Sequence, residues 1–524
     1  MRGKRVGVIC LILLLLIVFL GVILRLVHID IIGIYFDEMS YLVNALGTQS
    51  HGMANRFEFD GFTQNEPRFL WTTWAIGGLF TAFGKSLTLA RLPGVVLSAL
   101  TAIPLYLLGS RISRSLGLLM ATIWLMSPWA IVIGRFFREY AYFPFYYVLT
   151  FLILVWFAEF LGKAIRKKSI NPLGFILGGL LALAPLIYAT VGRSTTFKLV
   201  LAVYCAGLAY FFYQMLLVEG TRHRFSWRLI LSGVCPLAAM LAGILYYAPW
   251  AIDFVPSFNT RWIDLALGNN PRNWFYNTGF FSFILLVGLG VAGALALIRR
   301  KKFPELFFSV LVFLIYLYGY TFHFQAYFYA PRYAFPVHLW VIPVLALGVW
   351  SLYWIIEDTS QGWRKMGGYL LLFMILISAF NPVNTYNAVF IQTQGNEPIS
   401  GQYLHKFEGM AKKYGEQLKG APVLCWTCTV LFWFDLADLA DNKVKSLWIG
   451  SEEGVVGALN FMDNNPGGFL LLDGQRYKSE YEIGYKGEKW SKKTPGNPPK
   501  ADIELGGKML KYIDGVDGFY LYRW

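Results

Sequence analysis

Charge is what this chain most lacks. Only 15% of its 524 residues are Asp, Glu, Lys or Arg, against about 25% in soluble domains. With 56% hydrophobic and 18% aromatic residues, that balance argues against a water-soluble globular enzyme. It excludes a disordered chain as well, since disorder needs low hydrophobicity. Cysteine is scarce too: five in this length rule out a disulfide framework, and no Cys/His spacing of a zinc site occurs. Acids are rarest where the hydrophobic runs are. Residues 1–384 hold 14 Asp+Glu against 30 Lys+Arg, whereas residues 385–524 hold 17 against 16. The net charge of +15 therefore sits in the hydrophobic part, where loop cations orient helices, and no nucleic acid is implied. A multi-pass membrane protein is.

A spanning helix needs roughly 20 apolar residues, and residues 6–24 meet this after the basic start Met-Arg-Gly-Lys-Arg. No small-x-small cleavage site follows before Arg25 and His28, so the segment reads as an anchor with a cytoplasmic N-terminus. Further spans are readable near 92–110, 115–134, 140–160, 172–191, 199–218, 229–250, 278–298, 304–322, 334–356 and 366–383, which makes about eleven. The segment 66–84, EPRFLWTTWAIGGLFTAFG, is settled by charge. If it lies flat on the outer surface, the clusters at Arg111/Arg114, 163–168, 222–228, 299–302 and Arg364/Lys365 all fall inside, as cytoplasmic cations should. It therefore reads as an interfacial helix with Trp71 and Trp74 at headgroup level, within an outer loop spanning 28–90.

Residues 385–524 differ in kind. Short apolar runs at 422–424, 445–449, 468–473 and 518–522 alternate with helix-like stretches such as 403–418, the pattern of a small α/β domain. After an odd number of spans it is extracytoplasmic. Its Cys425-Trp-Thr-Cys428 lies in an expected strand rather than at a helix start, which favours buried thiols or a local disulfide over a redox pair.

No carboxylate falls in the middle of an expected span. Asp30, Asp37, Glu38, Glu58, Asp60 and Glu66 lie in the first outer loop; Glu139, Asp253 and Asp264 lie at other outer ends. An ion-coupled carrier needs ionisable groups near the midplane, so chemistry belongs at the outer surface. Tyr35-Phe-Asp-Glu-Met-Ser-Tyr41 sets two adjacent acids in an apolar frame: a proton acceptor at the lipid–water boundary, or an Asp37 helix cap. Arg135-Phe-Phe-Arg138-Glu139-Tyr140 is a second outer cluster, where Arg138 beside Glu139 suits a phosphate and a polar substrate. Arg193 and Arg332-Tyr333, with His323 nearby, add cations on the side where orientation disfavours them. Carboxylates and convergent cations at headgroup depth fit breakage of a sugar–lipid-phosphate bond, which needs a base for the incoming hydroxyl and cations on the departing phosphate.

These residues carry a resemblance. Asp37-Glu38 after the first span, Glu66-Pro-Arg-Phe-Leu-Trp71, Arg91-Leu-Pro-Gly94, Tyr106-Leu-Leu-Gly-Ser-Arg111, Ser127-Pro-Trp, Arg135-Phe-Phe-Arg-Glu-Tyr140, Arg193-Ser-Thr and Arg332-Tyr-x-x-Pro336 resemble an ordered series in the GT-C glycosyltransferases. The branch most like it holds the protein O-mannosyltransferases and lipid A aminoarabinose transferases. The resemblance covers about 1–200 and, more loosely, 320–345. It implies a polytopic α-helical GT-C-like fold, with residues 1–384 as catalytic membrane domain, outer juxtamembrane helices, and 385–524 as the extracytoplasmic α/β domain. It implies inverting transfer from a polyprenyl-phosphate-sugar donor to a hydroxyl of a glycan, glycolipid or protein, in the cell (inner or plasma) membrane. Asp37, Glu38 and Glu139 are then the catalytic candidates; Glu66, Arg138, Tyr140, Arg193, His323, Arg332 and Tyr333 are the substrate-binding ones. Glu139 stands where many relatives carry Asp or a neutral residue, and Glu66 precedes one Pro rather than two. A divalent metal is compatible with converging carboxylates, but no ligand spacing demands one. The other function classes open at this point are a lipid-linked-sugar flippase or transporter and a non-catalytic membrane scaffold.

Overall fold

The computed structural model describes residues 2–29, 34–51, 70–137, 139–166, 206–207, 209–210, 283–299, 306–307, 309–311, 314, 335–358, 362–380, 382–391, 404–405, 408–425, 444–446, 452–473, 483–485, 488–490 and 500–524. Helices come first: α1 (Arg2–Leu26), then strand β1 (Ile34–Tyr35), α2 (Phe36–His51), α3 (Leu70–Phe83), α4 (Leu87–Leu100), α5 (Ala102–Ser110), α6 (Arg114–Met126), α7 (Pro128–Gly134) and α8 (Glu139–Arg166). After them stand α9 (Phe283–Arg299), α10 (Phe335–Glu357), α11 (Gly362–Phe380) and α12 (Pro382–Tyr386), the last running into a π-turn, Asn387–Ile391. The remainder is mixed: β2 (Leu404–His405), α13 (Glu408–Leu418), β3 (Val423–Cys425), β4 (Val444–Ser446), α14 (Glu452–Asn464), β5 (Phe469–Asp473), β6 (Ile483–Tyr485), β7 (Glu488–Trp490), β8 (Ile503–Leu505), β9 (Lys508–Val516) and β10 (Phe519–Arg523). Two compact units divide the chain: 1–27 with 94–392 and 399–401, and 28–93 with 393–398 and 402–524.

The first unit is helical. Among the described residues, Val8–Leu26, Leu87–Ser110 and Tyr140–Phe160 are long and apolar enough to cross a membrane. The expected single span over 115–134 is broken instead: α6 and α7 meet at a 60° bend. Pro128 supplies the reason, since it has no N–H to continue α6 and its ring disfavours a helical residue before it. Ser127 is accordingly extended (φ −61, ψ 122) and its hydroxyl accepts the Ala130 N–H at the start of α7. α9, α10 and α11 fall within a few residues of the spans expected near 278–298, 334–356 and 366–383. The expected spans at 172–191 and 229–250, and most of 199–218 and 304–322, lie outside the described residues.

Small residues let these helices approach closely. A Cβ on Gly109 of α5 would stand 2.8 Å from Gly117 Cα, and one on Gly117 of α6 would stand 2.5 Å from the Tyr106 carbonyl oxygen. Gly293 and Gly348 do the same for α9 and α10, against Leu347 and Leu289. In lipid, where apolar surface gives no drive to associate, this close packing is what holds helices together.

The second unit contains α2, α3 and a six-stranded sheet of order β4-β3-β5-β10-β9-β8. β4, β3 and β5 are parallel; β5 to β10, β10 to β9 and β9 to β8 are antiparallel. Asp517 (φ 52) and Gly518 (φ 87) form the tight turn of the β9–β10 hairpin, the two left-handed positions that its twist requires. Val455, Ala458 and Met462 of α14 pack on Leu424, Leu470, Leu472, Tyr520 and Tyr522. Buried Cys425 is disulfide-bonded. The helix-like stretch 403–418 starts differently from expectation: Leu404–His405 is a strand, and the helix begins at Glu408. β8 and β9 were not expected, because Lys508-Met-Leu-Lys-Tyr presents no clean two-residue alternation.

Asp514 of β9 accepts hydrogen bonds from Lys413 Nζ (2.5 Å) and the Tyr414 hydroxyl (2.6 Å) of α13. These two donors hold its carboxyl down to about 2. Two outcomes follow from this packing. Gly117→Leu should destabilise the protein by about 1–3 kcal/mol through overpacking, read as thermal unfolding in detergent; an unchanged Tm would mean the helices are not in contact there. The Asp514 contribution is complete above the carboxyl's ordinary pKa of about 4 and disappears as pH falls through about 2. Asp514→Asn should therefore flatten the loss of Tm over that interval, and identical pH profiles for both proteins would contradict it.

Candidate functional site

β1 ends at Tyr35 and α2 starts at Phe36, so Asp37 and Glu38 stand in the first turn of a helix. There the unpaired N–H groups and the positive end of the macrodipole favour carboxylates. Consecutive helical positions are about 100° apart, so position 37 lies on a different face of α2 from Glu38. Glu38 is fully buried and receives Arg91 Nη2 on its Oε2 at 3.3 Å. Arg91, equally buried, donates Nη1 to the Ile29 carbonyl at 2.8 Å. One guanidinium thus fastens both the backbone at Ile29 and the first turn of α2. Its rigid fork suits two acceptors in different directions, which an ammonium does not.

α3 lies against the far part of α2. A Cβ on Gly77 would be 2.8 Å from Thr48 Cβ and 2.9 Å from the Ala45 carbonyl oxygen. Tyr41, Leu42, Ala45 and Leu46 of α2 are buried, as are Thr73, Ile76 and Phe80 of α3. Trp74 and Phe83 remain exposed, at 51% and 74%, consistent in composition with a helix bordering lipid.

Two more buried arginines belong to the helical unit. Arg25 Nε donates to Ser98 Oγ at 3.0 Å, and its Nη1 reaches the Gly21 and Leu125 carbonyls at 3.0 and 3.4 Å. Ser98 passes its own hydrogen to the Ala130 carbonyl, 3.2 Å away. Arg135 donates to Leu24 (2.8 Å), Ala388 (2.7 Å) and Val389 (3.3 Å) carbonyls. Leu24 and Leu125 belong to the last turns of α1 and α6, whose carbonyls have no partner within their own helix. Guanidinium groups suit these negative helix ends. Arg135 opens the sequence cluster that ends at Tyr140, yet it works in the interior as a tie between helix ends.

Of the other sequence-based candidates, Glu139 opens α8; its side chain, like that of Asp37, is outside the described residues. Tyr140 is buried, its ring edge-on to Phe143 at a centroid distance of 6.4 Å. Glu66, Arg138, Arg193, His323, Arg332 and Tyr333 lie outside the described residues. Among the described residues, no group of three His, Cys, Asp or Glu side chains stands as metal ligands do. What sequence reasoning missed is Arg91 as the partner of Glu38. Its signal was available: an arginine at the head of an apolar run must be answered by a carboxylate or carbonyls once buried.

No family model and no curated protein matches the sequence. The fold, however, is similar along the entire chain to a crystal structure of ArnT from Cupriavidus metallidurans in the apo state, with a TM-score of 0.50 and 10% identity, covering 100% of this chain and 98% of that one. A crystal structure of the same organism's ArnT bound to undecaprenyl phosphate aligns with a TM-score of 0.47 and 12% identity, covering 97% of each chain. At this identity the likeness is one of fold.

The Glu38–Arg91 pair makes a thermodynamic prediction. Glu38→Leu or Arg91→Met alone should cost about 3–5 kcal/mol, because each strands a buried charge, whereas the double replacement should cost much less. Thermal unfolding of the four proteins tests it. Additive losses would show that the two side chains do not face each other.

Proposed function

We propose that this chain is a GT-C-type membrane glycosyltransferase that moves a sugar from a polyprenyl-phosphate donor to an acceptor hydroxyl on the outer membrane face. The observation that carries the reading is the first turn of α2. It bears two adjacent acids, and one of them, Glu38, is fully buried in the Arg91 ion pair. The chemistry is assigned to the other acid of the pair, Asp37. Likeness in fold to ArnT over the whole chain supports the same reading. So does the ordered series of motifs along the sequence.

In this mechanism Asp37 takes the proton from the acceptor hydroxyl as its oxygen forms a bond to the anomeric carbon. The bond from that carbon to the donor phosphate oxygen breaks on the opposite side, so the configuration inverts. Arg138, Arg193 and Arg332 receive the charge that develops on the departing polyprenyl phosphate. Glu139 orients the acceptor; Glu66, Tyr140, His323 and Tyr333 frame the sugar. Glu38 acts through the backbone, keeping the α2 turn in one position. About eleven spans carry the site, the N-terminus is cytoplasmic and residues 385–524 are extracytoplasmic. The disulfide at Cys425 supports that side, since disulfides persist in oxidising compartments.

Mass spectrometry of glycolipids and glycans from cells with and without the gene identifies the product. With it in hand, Asp37→Asn should lower kcat by about 10²–10⁴-fold, the usual contribution of a general base, with unchanged thermal unfolding and unchanged binding of undecaprenyl phosphate. Normal turnover by the folded variant would refute the assignment.

A further inference from the structure

Nothing local in the sequence ties the acid pair to the C-terminal domain. A two-stranded ladder joins them. β1 pairs antiparallel with β2, Ile34 opposite His405 and Tyr35 opposite Leu404. Tyr35 is followed directly by Phe36 and Asp37 at the head of α2. β2 is followed, two residues on, by α13.

α13 is itself fixed to the six-stranded sheet. Its Met410 and Leu418 are fully buried. Lys413 and Tyr414 both donate to Asp514 of β9. Gly409, in its first turn, lies so close to Asp517 of the β9–β10 turn that a Cβ there would collide with the carboxylate. The path from sheet to acids is therefore continuous within one compact unit: β9–β10 hairpin, α13, β2, β1, α2.

We infer that the C-terminal domain is a positioning element for Asp37, acting through the β1–β2 ladder. This inference rests on the transferase reading for its chemistry but not for its mechanics. Two constraints of different kind meet at the start of α2. The Arg91 pair holds the Glu38 carboxylate, and packing on α3 holds the far part of the helix. The ladder fixes the direction of the backbone that enters the turn. Both are needed to hold a base to the tolerance of catalysis, where misplacement by about 1 Å costs about 10²-fold in rate. A pairing of two residues per strand is marginal by itself, so it persists only because α13 is anchored at its other side.

The test breaks the ladder without touching the acids. Leu404→Pro and His405→Pro each remove one β2 N–H, and the one whose N–H faces β1 should act. Expected are amide exchange across 36–46 faster by about 10-fold and kcat lower by about 10–100-fold, with undecaprenyl phosphate binding and melting of the six-stranded sheet unchanged. Cysteines at an opposed pair, Ile34→Cys with His405→Cys or Tyr35→Cys with Leu404→Cys, stand about 4.5–5.5 Å apart at Cβ, near disulfide range. Oxidation of one of these pairs, identified by peptide mass spectrometry, should restore exchange protection and kcat in the proline variant of the unpaired position. Unchanged exchange in both proline variants overturns the inference, and so does faster exchange with unchanged kcat, which makes the ladder a structural tie alone. If exchange accelerates but the wild-type chain transfers no sugar, the mechanical link stands and the transferase reading falls.

Discussion

A guanidinium taken out of water must find acceptors, and three arginines in this chain impose that demand on everything around them. Arg91 meets it with one carboxylate and one carbonyl. Arg25 and Arg135 meet it with helix-end carbonyls and a serine. The difference follows from what each has to hold. A helix end buried in a bundle leaves up to four carbonyls without partners, and in lipid there is no water to answer them. An arginine is the side chain with enough donors to serve several at once. The 60° break between α6 and α7 and the π-turn at Asn387–Ile391 expose such carbonyls, and are bearable because these side chains close them.

The Arg91 arrangement has a further consequence for chemistry. A buried carboxylate is costly unless paired, so Glu38 is committed to its arginine. Adjacent acids on a helix thus take separate tasks without any need for separate elements. One anchors the turn, and the other occupies the same helix start, where the dipole's positive end favours a carboxylate.

Much of this was legible in the residues. The first anchor, α8 and α9 to α11 follow from long apolar runs, because one helix satisfies its own backbone and needs no distant partner. The strands at 422–424, 468–473 and 518–522 follow from short β-rich runs between turn residues. The break at Ser127-Pro128 was visible as a proline within an apolar run, yet the run's total length argued for one straight span, and length alone cannot weigh a missing N–H. β8 and β9 were not legible because their own alternation is weak, although each pairs with its neighbour in sequence; the start of β2 was not because its partner is the distant Ile34–Tyr35 strand. Arg91 was noticed as part of a motif, but nothing local to it names Glu38.

Composition and hydrophobic run length by themselves determined that the chain carries long apolar segments suited to membrane helices and that residues 385–524 are nearly balanced in charge, since both depend only on which residues lie within about twenty of one another. They also determined where acids were permitted, because a carboxylate in mid-span has no solvent. Tertiary structure alone decided that Glu38 is anchored to Arg91, and that the strand before the acid pair is paired with Leu404–His405. Those outcomes depend on a guanidinium 53 residues from its carboxylate and on a ladder joining Ile34 to His405. Contacts of that range are fixed by folding and are written in no single stretch of sequence.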